Sequence, residues 1–365
     1  MNFWQELKNK KNPFFVVAPM ADVTDAAFRR LITKYGKPDV MWTEFVSANG
    51  LVSRGREALM RDLVYSEIER PIVAQLFSSD PANMEAAAKL VAELGFDGID
   101  INMGCPDRTI EKQGAGAAMI KDPAAAVAVI AAAKRGIAAA GNPFGKLRAS
   151  IPLSVKTRVG YNAVQIEEWI PLLLSCDIAA LTVHARTRKD MSKVPAQWNY
   201  LKQVVALRDK LAPHTVIIGN GDVTSLADGR AKAKQSGVDG VMVGRALFGN
   251  PWFFDETREV VATLPKRSVF YKLPIIGTWF QTKRKAPVSA INPITIEERL
   301  HVLVEHTQLF EELLGDIKSF AIMKKHYKAY CTGFTGAKEL RMQLMEAKNS
   351  REVNEIVSTF LTQTI

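Results

Sequence analysis

The sequence predicts an α/β fold, a (β/α)8 TIM barrel followed by a small all-helical domain. Three observations carry this. Eight short apolar, β-branched segments recur between residues 14 and 247, with helical patterns between them. Most of these segments are near-continuous apolar runs, as strands covered on both faces of a parallel sheet require. From residue 294 onward the strand patterns stop and helical spacing takes over. The rival architecture, a doubly wound open sheet, would carry GxGxxG after its first strand, and this chain does not.

In chain order the strand segments are FFVVAPM (14–20), VMWTEFVSA (40–48), IVAQLF (72–77), GIDINMGC (98–105), PLSVKTRVG (152–160), ALTVHART (180–187), VIIGNGD (216–222) and GVMVGRAL (240–247). Eight such units in about 250 residues match the size of a TIM barrel. The helix expected over 81–95 starts with Pro81 after Asp80 and stops at Gly95, which are start and stop signals. The segments 124–141 and 225–237 likewise close on Gly. The tail opens with ITIEERLHVLVEHTQLFEELLG (294–315), an amphipathic helical pattern. The expected organisation is a barrel over 1–260, a connecting segment over 261–293 and a helical domain over 294–365.

Composition narrows the function classes. The chain has 365 residues, 47% hydrophobic and 24% charged, as globular proteins do. No apolar run reaches the roughly 18–20 residues that cross a bilayer. The polar opening MNFWQELKNKKNPFF lacks a signal peptide's apolar stretch. Cys105, Cys176 and Cys331 have no CxxC spacing. That speaks against a disulfide framework or a metal site, and for a reduced cytoplasmic compartment. The net charge is +10. Residues 266–296 hold six Lys and Arg and no acid, and 266–355 hold 15 against 10 acids. Such a surplus suits a polyanionic partner such as nucleic acid.

A barrel does its chemistry at the C-terminal ends of its strands. The segment ends here carry Met20, Glu44, Gln75, Asn102 with Cys105, Lys156 with Arg158, His184 with Arg186, Asn220 with Asp222, and Gly244 with Arg245. Singly, each has a bland explanation: a solvated Lys, a core His, an Asn-Gly-Asp turn. Together they describe a functional rim. Gly219, Gly221 and Gly244 close the seventh and eighth strands, where barrels commonly bind phosphate. Arg245 adds a charged fork. Lys156 and His184 are expected to place positive charge beside a ring that accepts electrons. A phosphate at one end and a cation near a ring at the other describe a flavin mononucleotide site.

The segments APMADVTDAAFR (18–29), VAQLF (73–77), DGIDINMGCP (97–106), LSVKTRVG (153–160), LTVHARTR (181–188), IIGNGDV (217–223) and GVMVGRALFGNPWFF (240–254) resemble the tRNA-dihydrouridine synthases. MKKHYKAYCTGFTGAKELR (323–341) resembles that family's tail. The resemblance covers about residues 14–254 and 294–355, in the family's order. It implies an FMN-binding barrel, a helical tRNA-binding domain, and reduction of the C5–C6 double bond of particular uridines in tRNA, with NADPH as electron source. By position it implies that Pro19, Met20 and Ala21 lie against the isoalloxazine. Gln75, Lys156 and His184 then bond the ring, and Asn220, Gly221, Asp222, Gly244 and Arg245 hold the phosphate end. It makes Cys105 the proton donor and Asn102, Arg158 and Arg186 substrate contacts.

Hydride delivered to C6 of a uracil leaves a carbanion at C5, and a neutral thiol on a loop above the base can protonate it. Cys105 is therefore expected to stay protonated, on a loop that closes over a flipped-out base. Lys324, Lys325, Lys328 and His326 cluster in one run as expected phosphate contacts, giving affinity without sequence reading. The 265–293 segment is longer and more aromatic than the family leads one to expect. Tyr271, Trp279, Phe280 and the basic run Lys283, Arg284, Lys285 there suit either stacking on exposed bases or packing on the barrel. A monomer is expected. Two rivals stay open, a flavin enzyme for free pyrimidines and a non-catalytic RNA-binding barrel. The basic tail argues against the first, and Cys105, Lys156 and His184 against the second.

Overall fold

The computed structural model describes residues 2–10, 12–141, 151–259 and 292–364. The connecting segment expected over 261–293, with its aromatics and basic run, lies outside the described residues apart from Asn292 and Pro293. The eight expected strands are present: β1 (Phe14–Val17), β2 (Met41–Ser47), β3 (Ile72–Phe77), β4 (Gly98–Met103), β5 (Leu153–Arg158), β6 (Ala180–His184), β7 (Val216–Asn220) and β8 (Gly240–Val243). All pair in parallel in the order β1-β8-β7-β6-β5-β4-β3-β2. A bridge between Val16 and Val40, with the Val17 N–H donating to the Val40 carbonyl at 3.2 Å, joins β1 to β2 and closes the barrel.

Several strands stop before their sequence segments do. β1 ends at Val17, because Pro19 has no N–H to give a ladder. β4 ends at Met103, before Gly104 and Cys105-Pro106, and β8 ends at Val243, before Gly244. Met20, Cys105, Asp222, Gly244 and Arg245 therefore sit in loops just past the strands. The helices follow their caps. Asp80 accepts from the Ala82 and Asn83 N–H groups at the head of the helix Pro81–Glu93, and Asp122 caps Pro123–Ala139 in the same way. The helix Leu226–Ser236 starts on Ser225 and ends on Gly237.

Successive side chains of a strand point alternately into and out of the barrel. At the amino-terminal end the interior is apolar: Phe14, Val16, Trp42, Val73, Val216 and Ile218 share one core with Trp4. Trp4 comes from the helix Phe3–Lys8, and its ring lies 5.6 Å from Trp42 and 6.1 Å from Phe14. Gln5 and Lys8 fasten that helix by donating to the His214 and Pro213 carbonyls, each at 2.6 Å. The amino terminus is thus the floor of the barrel. Toward the other end the interior turns polar, with Gln75, Asp100, Asn102 and Ser154 all buried.

The tail folds into helices, including Ile296–Leu314, Lys324–Tyr330, Ala337–Glu346 and Ser350–Thr364. Its core includes Leu300, Leu303, Phe310 and Tyr327, and it takes in Ala27, Leu31 and Trp252 from the barrel. Thr295 and Glu298 form a capping box at its start. Against the barrel helix Ala26–Tyr35, Glu305 receives Lys34 and Tyr35. Among the described residues no helix is long and apolar enough to cross a membrane.

Candidate active site

A cavity of about 820 Å³ opens at the carboxyl ends of the strands. It brings together Pro19 and Met20 from the loop after β1, Lys156 and Arg158 from β5, and His184 and Arg186 from β6 and its loop. Asn220, Gly221 and Asp222 join them from β7, and Gly244 and Arg245 from β8. Four of the residues predicted for flavin or base at the barrel rim are not in its wall. Ala21 is exposed beside it, Gln75 and Asn102 are buried, and Cys105 is half-buried next to Pro106, which does line it.

At the β7–β8 end, the backbone N–H groups of Gly221, Asp222, Gly244 and Arg245 find no acceptor among the described residues. Free N–H groups at adjacent turns make an anion cradle. Gly221 has φ +129°, and a Cβ there would come within 2.7 Å of the Ala196 Cβ. The Asp222 carboxylate is already engaged, accepting from Arg186 and Arg245, each at 2.5 Å, and from the Ala196 N–H at 2.9 Å. Burial alone would raise its pKa; these donors hold it below the usual carboxylate range instead. Asp222 thus aims two guanidinium groups rather than meeting an anion itself. The Arg245 side chain remains 66% exposed and can turn onto a phosphate.

At the other end, Lys156 has no hydrogen bond or ion pair among the described residues. Burial, then the neighbouring Arg158, lowers it to about 8. It is a cation held ready for a ligand. The His184 ring is driven well below its ordinary pKa by burial and by the charges of Lys156, Arg158, Arg186 and Arg245. Arg186 stands 3.2 Å from His184 Nε2, and a guanidinium can only donate. Nε2 is therefore the acceptor of a neutral imidazole, and the proton sits on Nδ1; of the two residues expected to bring positive charge, only Lys156 does.

The Cys105 loop is pinned from several sides. The Gly104 and Cys105 N–H groups donate to Asn102 Oδ1 at 3.1 and 2.9 Å. Arg158 Nε donates to the Gly104 carbonyl at 2.7 Å, and the same guanidinium reaches the Thr187 carbonyl at 3.1 Å. The Ala117 N–H donates to the Cys105 carbonyl at 2.9 Å, and at Gly116, with φ +61°, a Cβ would stand 2.8 Å from that oxygen. Arg188 pairs with Glu111, tying the loop after β6 to the helix Arg108–Lys112 that follows Cys105. Burial raises the thiol's pKa above its ordinary value, so it is protonated at neutral pH. The arrangement places a neutral thiol, an uncommitted ammonium and an anion cradle around one cavity.

In the tail, Lys325 is exposed and pairs with Asp22, in the loop after β1, at 3.0 Å; Lys324 is half-buried. His326, expected on a phosphate-facing surface, is fully buried against Phe28 and Phe248 of the barrel, with His306 beside it. Sequence reasoning named Glu44 only as a strand end and missed Lys318. Lys318 of the tail is 12% exposed and pairs with Glu44 at 2.5 Å and Asp62 at 2.8 Å; Glu44 in turn holds the Asp22 N–H. It missed Asp100 as well, whose place inside the barrel no local motif announces.

A family model described as Dihydrouridine synthase (Dus) matches residues 16–365. "Probable tRNA-dihydrouridine synthase 2" of Bacillus subtilis (strain 168) is 36% identical over 362 residues, covering 98% of this chain and 96% of that protein. "Probable tRNA-dihydrouridine synthase" of Staphylococcus aureus (strain MRSA252) is 34% identical over 366 residues, covering 99% and 96%. Among solved structures, morphinone reductase in complex with tetrahydroNAD aligns with a TM-score of 0.44 at 12% identity, over 68% of this chain and 87% of that one. The match across nearly the whole length, with the thiol loop and the Lys-His rim in place, makes this chain a member of the dihydrouridine synthase family.

Proposed function

We propose that this chain is a tRNA-dihydrouridine synthase, reducing the C5–C6 double bond of uridines in tRNA with FMN in the rim cavity and NADPH as the electron donor. The observation that carries this reading is the shared cavity wall: an unpaired Lys156 and a neutral His184 at one end, four free N–H groups with Arg245 at the other. These residues fit FMN. The N–H groups of Gly221, Asp222, Gly244 and Arg245 would take its phosphate, with Asn220 beside them. Pro19, Met20 and Ala21 would lie against the ring, with Lys156, His184 and Gln75 as its polar partners.

Held there, reduced FMN would supply the hydride for C6 of a flipped-out uracil. Cys105 holds the proton for C5: its S–H bond breaks, the new C–H bond takes the proton, and the thiolate is left to regain one from solvent. Lys156 and Arg158, whose positive charges act on the thiol, stabilise that thiolate. Asn102, Arg158 and Arg186 orient the base. Asn102 and Arg158 do so while also fixing the Cys105 loop, so donor and acceptor are set by the same groups. Lys324 and Lys325 contact tRNA phosphates, with Lys325 leaving Asp22 when the RNA arrives. The three free cysteines suit a reduced cytoplasmic setting, and one chain carries the whole site, as a monomer would.

The test is direct. Purified protein, FMN, NADPH and tRNA lacking dihydrouridine should yield tRNA with a uridine heavier by two hydrogens. If free uridine or uracil is reduced and tRNA is not, the substrate assignment fails.

A further inference from the structure

Beneath the cavity runs a chain of hydrogen bonds that ends on the thiol loop. The Cys105 and Gly104 N–H groups donate to Asn102 Oδ1. Asn102 Nδ2 donates to Gln75 Oε1 at 3.0 Å, and Gln75 Nε2 donates to Asp100 Oδ2 at 2.6 Å. Ser154 Oγ donates to Asp100 Oδ1, also at 2.6 Å. The strands fix the geometry, since Gln75 and Ser154 are the register partners of Asp100 on either side. Gln75, Asn102, Asp100 and Ser154 are all buried, Asp100 fully so.

Direction matters in this chain. Each amide could turn over without changing shape, exchanging its donor for its acceptor. A turned Gln75 would present N–H to the N–H of Asn102. A turned Asn102 would present N–H to the backbone N–H groups of Gly104 and Cys105. An ionised carboxylate at the buried end accepts only, so it admits one orientation of Gln75 and hence of Asn102. Burial raises Asp100 to about 6, which still leaves it mostly ionised at pH 7.5.

The geometry points to Asp100 as a positioning residue: through Gln75 and Asn102 it fixes the amide that holds the Cys105 backbone, and so the place from which the thiol delivers its proton. This rests on Cys105 being the proton donor. Asp100 is fully buried and does not line the cavity. A misplacement of about 1 Å at a reacting group costs on the order of 100-fold in rate, so the effect falls far more heavily on uridine reduction than on flavin reduction, where Gln75 is one ring partner among several.

The experiment compares native holoenzyme with Asp100→Leu and Asp100→Asn, at pH 7.5. Three rates are read: reduction of the flavin by NADPH, anaerobic reoxidation of reduced flavin by tRNA lacking dihydrouridine, and alkylation of Cys105 by iodoacetamide. For Asp100→Leu, reoxidation by tRNA should slow about 100-fold. Its NADPH step should slow at least tenfold less than reoxidation does, and the alkylation rate should change. Asp100→Asn keeps an oxygen for Gln75 and an N–H for Ser154 to accept, so it should restore at least tenfold of the loss. Should leucine not fold in the barrel, Asp100→Ser, which serves one partner but not both, reads the same split. Native reoxidation rates in the leucine or serine variant, or equal slowing of both flavin steps, would overturn the inference. A native enzyme that reduces no tRNA would overturn the proposed function instead, while the alkylation rates would still report the chain's grip on Cys105.

Discussion

Replacing His326 by Leu should flatten the acid limb of this protein's stability. His326 and His306 lie ring to ring, 4.5 Å apart, where the tail meets the barrel. Phe28 and Phe248 pack on His326, and Tyr330 stands 3.4 Å from His306 Nδ1. No carboxylate bonds either ring, and neither nitrogen of His326 has a partner among the described residues. Burial, then the charge of Lys325, pushes His326 from the ordinary 6.5 down to about 3; burial, then His326, pushes His306 down as well. Both rings are neutral in the folded chain and take a proton only on unfolding. The unfolded state therefore binds more protons below pH 6.5, and stability falls from there toward pH 3. Between pH 7.5 and 5 His326 costs about 2 kcal/mol, and His306 acts in the same direction. The buried acids Asp25, Glu44 and Asp100, with pKa values raised by burial, act in the opposite sense. The variant-minus-native difference cancels them. Urea titrations at the two pH values should show His326→Leu losing about 2 kcal/mol less than native over this interval. Identical losses would refute the buried, neutral pair.

Three other outcomes follow. Cys105→Ala should keep the flavin spectrum and NADPH oxidation while uridine reduction drops about 100- to 10,000-fold; native turnover would remove the thiol from the chemistry. Arg245→Ala should weaken FMN by about tenfold or more, the worth of a charge-assisted hydrogen bond, and leave riboflavin, which has no phosphate, unaffected; equal loss for both in a fluorescence titration would count against the phosphate cradle. Lys318→Met strips the counter-charge from Glu44 and Asp62, and should cost about 3–5 kcal/mol at pH 8 in chemical denaturation. That loss should shrink at pH 6, because burial already raises Glu44 to about 7 and the variant's carboxyl accepts a proton more readily. A pH-independent loss would mean that Lys318 acts by packing alone.

The barrel was legible because its signals are local. Pro81 after Asp80 and the runs IVAQLF and VIIGN declare their elements within a few residues. Residues at the strand ends could be placed on one rim because the fold class puts them there. What stayed hidden depends on partners distant in sequence. Phe3, Trp4 and Leu7 share one face of a six-residue helix, too short a pattern to outweigh the polar residues around it, so the floor of the barrel read only as a polar opening. Asp100 read as one polar residue in a strand; only the curl of the sheet shows that it meets Gln75 and Ser154. Lys318, Lys325 and His326 belong to a basic tail by composition. Folding spends Lys318 on Glu44 and Asp62, rests Lys325 against Asp22 and buries His326, so charge counts overstated the surface left for RNA.

The measurement that bears most directly on this account is made without oxygen. The purified protein's flavin is reduced, tRNA lacking dihydrouridine is added, and the flavin band is followed while the RNA is digested for mass spectrometry. Rapid reoxidation together with a gain of two hydrogens on a uridine is expected. Flavin that stays reduced with tRNA but reoxidises with a free pyrimidine would contradict it.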